Sequence, residues 1–136
     1  MNDLNISRTP DDIKIDVRHI EFEGIENKPR YWHGDNPILT HGLNAASMFF
    51  PQGEIFFIKS VQNFQNQITD PKLREEINGF IAQEITHSQQ HDVFNKDVYK
   101  QGYKDLQRME KLVHRLLAGL HKFGPKKLQL AVTVAL

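Results

Sequence analysis

The chain has 136 residues, the length of one domain, and its 39% hydrophobic and 25% charged residues are ordinary for a folded globular protein. Seventeen basic residues against seventeen acidic ones leave no net charge, so no long-range field steers the chain to nucleic acid or to an anionic membrane. Cysteine is absent, which excludes disulfides, thiolate nucleophiles and cysteine-ligated metal sites and leaves Asp, Glu and seven His for any metal chemistry.

Residues 1–37 read as an irregular arm. Ile13, Ile15 and Val17 alternate with Lys14, Asp16 and Arg18, a short strand signal that breaks at His19. Gly24, Pro29, Gly34 and Pro37 punctuate the rest, and the arm is expected to wrap a helical body. Met1–Lys14 has no apolar core of the kind a secretory signal needs, and no apolar run approaches the ~20 residues of a membrane span. A cytoplasmic chain without a membrane partner is expected.

From Ile38 the pattern is helical, and residues 38–136 are expected to form one all-α bundle. Ile38–Phe50 predicts a first helical segment, interrupted by Pro51 and Gly53, and a longer helix is expected from about Gly53 to Gln67. Asp70-Pro71 is a helix start, with Asp70 as N-cap and Pro71 at the first helical position, where its missing N–H is no loss. That helix is expected to run to about Asp97. Another covers about Tyr103 to Phe123 and stops at Gly124-Pro125. Lys126–Leu136 starts a last apolar helix that runs to the end of the chain without a cap.

Helical spacing gathers the candidate chemistry. On a wheel of about 100° per residue, Leu73, Ile77, Phe80 and Ile81 form an apolar stripe, and Glu84, His87 and His91 fall inside it. On the preceding helix Glu54 sits among Phe57, Ile58, Val61 and Ile68. A bare carboxylate in a core costs several kcal/mol or takes up a proton, so something must compensate it. Glu-x-x-His on an inward face is the repeating unit of di-iron and di-manganese bundle sites, and one Glu plus one Glu-x-x-His is half of that ligand set. Glu54, Glu84, His87 and His91 are therefore the candidate metal residues. A divalent ion is implied, with iron or manganese favoured by mixed carboxylate and imidazole donors and zinc as a further choice.

Other candidates are weaker. Met109, Leu112, Val113, Leu116, Leu117 and Leu120 predict the buried stripe of the third long helix, which leaves Glu110, His114 and His121 beside it on a solvated face. A zinc-protease helix needs His-Glu-x-x-His, and Gln83 precedes Glu84. Ser47 has no visible base, so a serine hydrolase has no support.

Asn44-Ala45-Ala46-Ser47, Phe50-Pro51-Gln52-Gly53-Glu54-Ile55-Phe56-Phe57 and Gln83-Glu84-Ile85-Thr86-His87, with His91 four residues on, resemble the bacterial family of predicted metal-dependent hydrolases. That family is similar to the ferritin-like superfamily and distantly to di-iron amine N-oxygenases. The resemblance spans about Arg30 to Leu136. It implies a ferritin-like bundle, with Glu54, Glu84 and His87 as metal ligands and His91 as a further site residue. It also implies an enzyme acting on a small molecule. Family members continue past Leu136 with a second set of Glu and His, so the bundle is expected to be partial at its C-terminus, and self-association as a homodimer is expected. Oxygen chemistry at two metals and a non-catalytic helical interaction module are the alternatives.

Overall fold

The computed structural model describes Thr9, Pro10, Asp12, Ile13, residues 16–18 and residues 27–136. Five helices follow one another: α1 (Pro37–Ser47), α2 (Phe50–Gln65), α3 (Pro71–Lys100), α4 (Lys104–Phe123) and α5 (Lys126–Ala135). No strand occurs among the described residues, and the strand expected over 13–18 falls partly on Lys14 and Ile15, which lie outside them.

Pro51 corrects the expected start of α2. It sits in the first turn, where a proline opens a helix and does not interrupt one, so α2 begins at Phe50 and Gly53 is an interior helical residue. Met48, fully buried, anchors the tight link from α1. Asp70 caps α3 as expected: its side chain accepts from the backbone N–H of Lys72 and Leu73. The α3–α4 link turns at Gly102, whose φ of +100° is a left-handed conformation that glycine adopts without steric cost.

Hydrogen bonds fix the register of the central pair. Gln65 meets Asn78, Ser88 meets the Pro51 carbonyl, and Asn95 meets the Ser47 carbonyl. Partners move down one helix as they move up the other, so α2 and α3 are antiparallel. α4 joins α2 through His114 and Gln52, 2.6 Å apart, and α3 through Tyr99 donating to Glu110 over 2.8 Å. α5 lies along α2, held by Ser60 with Thr133 and by Asn63 with Gln129.

The described parts of the arm lie on the helices. Trp32 donates to Asn44, and Lys28 pairs with Asp97 at 2.6 Å with both side chains nearly buried. Breaking such a pair from one side is expensive, because a buried charge is left alone.

The core is thin. Among the described residues only Met48, Phe56 and Val98 are buried hydrophobics, against eight buried polar or charged residues. The expected α4 stripe is only half covered. Val113, Leu117 and Leu120 are half-buried against the body, whereas Met109, Leu112 and Leu116 are exposed, because no helix among the described residues lies over that edge. Leu73 is also exposed, since α2 has already ended where α3 begins.

Candidate metal centre

The antiparallel register puts Glu54, in the second turn of α2, at the depth of Glu84 in mid-α3. Glu54, Glu84 and His87 each offer a ligand atom, and these atoms all lie within 4.8 Å of one another. The three form a gradient of exposure: Glu54 is buried, Glu84 half-buried and His87 exposed. His87 therefore corrects the inward orientation the wheel predicts. It lies on the right face of α3, but that face opens to solvent at this turn.

Burial, and then the negative charge of Glu84, pushes the Glu54 carboxyl up to about 7. Burial also raises Glu84, an effect that the charge of His87 opposes. Oε2 of Glu54 is buried with no hydrogen-bond partner. Neither carboxylate has a Lys or Arg ion pair among the described residues. Two carboxylates and an imidazole in mutual reach, with one carboxylate oxygen orphaned, are a donor set that a divalent ion satisfies.

His91 stands outside this group of three. Its Nδ1 is 2.9 Å from Ser47 Oγ, and its ring stacks on Phe50 with centroids 4.5 Å apart and 20° between planes. Burial lowers its pKa, with the charge of His87 acting in the same direction. The remaining histidines are engaged elsewhere. His114 bonds Gln52, His121 bonds Gln129, and His41 meets Tyr31 and Tyr103 edge-on. His33 lies exposed beside Trp32, and His19 lies outside the described residues.

For Ser47 the sequence shows no visible partner, and the structure corrects this: His91, 44 positions away, puts its Nδ1 2.9 Å from the hydroxyl. The signal was nonetheless present. Glu54 and Glu84 share a depth, and Ser47 stands seven residues before the first as His91 stands seven after the second, a symmetry that brings the two to the same end of the antiparallel pair.

A family model described as a predicted metal-dependent hydrolase matches residues 16–136 of this chain. No curated protein and no solved structure matches it.

Proposed function

The chain belongs to the family of predicted metal-dependent hydrolases, and on that premise we propose that Glu54, Glu84 and His87 hold a divalent metal ion, iron or manganese before zinc, for hydrolysis of a small molecule. The observation that carries this reading is the buried Glu54 carboxylate, whose Oε2 has no hydrogen-bond partner and which offers an oxygen within 4.8 Å of ligand atoms of Glu84 and His87. Held by these three side chains, a divalent ion would supply the polarisation of a substrate oxygen and the acidification of a bound water that such hydrolysis needs. Glu54 is the ligand that changes most on loading. Its raised pKa keeps it substantially protonated in metal-free protein near neutrality, so ion uptake displaces a proton from it. His87, at the exposed rim, is the side from which ion and substrate reach the site.

The ferritin-like arrangement belongs to the same proposal. It is supported by an antiparallel helix pair that carries Glu on one member and Glu-x-x-His on the other. The half set of ligands and the open α4 stripe support association of two copies.

Metal content of untagged protein tests the site. Near-stoichiometric metal is expected in the wild type, loss in Glu84→Ala and in His87→Ala, and retention in His114→Ala, whose partner is Gln52. Equal loss in all three variants would refute the assignment.

A further inference from the structure

Ser47 closes α1 and is buried, with its carbonyl and its hydroxyl committed to α3. Its carbonyl, one of those that a helix C-terminus leaves without an intrahelical donor, accepts from Asn95 Nδ2 over 3.0 Å. Its hydroxyl meets Nδ1 of His91 at 2.9 Å. Phe50 stacks on the same ring, so the imidazole is gripped on one edge and one face and has a single orientation. His91 lies one helical turn beyond His87, where side chains of an α-helix are neighbours.

Cohesion alone does not account for this arrangement. Asn95 already ties α1 to α3, and stacking on Phe50 needs only an aromatic ring. What remains is a hydroxyl placed on one ring nitrogen. A metal-ligating histidine almost always donates its other ring N–H to a carboxylate, a backbone carbonyl or a water, which fixes the tautomer; at His91 the Ser47 hydroxyl stands in that place.

We propose that Ser47 is a positioning residue: its Oγ accepts a hydrogen bond from Nδ1–H of His91, which leaves the Nε2 lone pair free, and His91, one turn beyond His87, would be recruited as a fourth donor to an ion held by Glu54, Glu84 and His87. The donor role rests on the metal-site reading above; the tautomer does not.

Long-range proton–nitrogen spectra of the metal-free protein read the tautomer directly. The expected result is an Nδ1–H ring at His91 in the wild type, in Ser47→Thr and in Asn95→Ala, which keeps the hydroxyl while removing the tie to the carbonyl. In Ser47→Ala the proton is expected to move to Nε2. Manganese affinity, measured by titration, should fall roughly 10–100-fold in Ser47→Ala and be largely restored in Ser47→Thr. An Nε2–H ring in the wild type, or undiminished manganese affinity in Ser47→Ala, overturns the assignment and leaves Ser47 as a tether. The wild-type tautomer decides even where Ser47→Ala does not fold. A wild type that binds no manganese but carries Nδ1–H at His91 defeats the metal site and leaves the Ser47 contact standing.

Discussion

Glu54 holds its carboxylate with 4% of the residue exposed and one oxygen unpartnered, and the consequence in metal-free protein has a definite sign. Its pKa is raised from 4.5 to about 7 by burial first and Glu84 second. Below 4.5 the folded and unfolded chains are both protonated there, and no penalty exists. Between about 4.5 and 7 the unfolded chain ionises first, so stability falls as pH rises, by at most on the order of 3 kcal/mol. Glu54→Gln removes this slope. In metal-free protein its urea midpoint at pH 7.5 is expected above that of the wild type, with the gap closing toward pH 5; a gap that does not change with pH would falsify a buried, shifted carboxyl. The same variant should bind metal more weakly, so the two effects have opposite signs. The wheel places Glu54 within a stripe because apolar residues at helical spacing surround it in the sequence. It failed on the exposure of His87 because periodicity gives a direction around one helix and says nothing about how far a neighbouring helix extends over it.

Helix ends were legible wherever a local cap writes them. Asp70-Pro71 starts α3, and Gly124-Pro125 ends α4. Pro51 was ambiguous, because the residue type that breaks a helix also begins one. The α4–α5 corner depends on something no local signal announces. Gln129, 2% exposed, donates to the carbonyls of His121 and Gly124 at 3.0 and 2.9 Å and accepts from Asn63 and His121. One side chain thus satisfies carbonyls that the end of α4 leaves open and joins that end to α2. Gln129→Ala is expected to destabilise by roughly 1–3 kcal/mol, since it strands buried acceptors and the Asn63 amide. Gly124 is needed for a different reason. A Cβ there would stand 2.5 Å from the Leu120 carbonyl oxygen, a backbone atom that cannot move aside, so Gly124→Ala should also destabilise, by about 1–3 kcal/mol. Urea unfolding of both variants checks this. Values within error of the wild type would mean that the corner contributes little.

Across the whole molecule, the described helices carry more apolar surface than the described residues cover. α2 packs against both α3 and α4, while α3 and α4 meet where Tyr99 donates to Glu110, close to the turn that joins them. Met109, Leu112 and Leu116 face outward from α4, Phe123 is 79% exposed, and Val134 borders an open groove lined by Phe64, Leu130 and Ala131. The stripes could be read from the sequence; which of them lacks a cover could not, because that depends on how many layers the helices supply. Large exposed apolar patches mark interfaces, and a two-fold contact is the commonest way for a chain to cover its own. The ligand set points the same way. A dinuclear bundle site takes one Glu from each of two helices and one Glu-x-x-His from each of two others, and one chain provides Glu54 with the Glu84/His87 pair. Two chains provide the whole set, and the exposed position of His87 leaves that edge open to a partner. If so, an ion that binds only the assembled site strengthens dimerisation by linkage, by about 2.7 kcal/mol at a free concentration one hundred times its dissociation constant. Sedimentation with and without manganese or ferrous iron is therefore expected to show a monomer–dimer equilibrium that metal shifts toward dimer, with two ions per dimer. Leu112→Glu, on the open stripe and not itself one of the donors, should weaken the dimer while leaving Glu54, Glu84 and His87 in place. A compact monomer at every metal concentration, carrying one ion per chain, would confine the site to a single chain and leave the open stripe without this role.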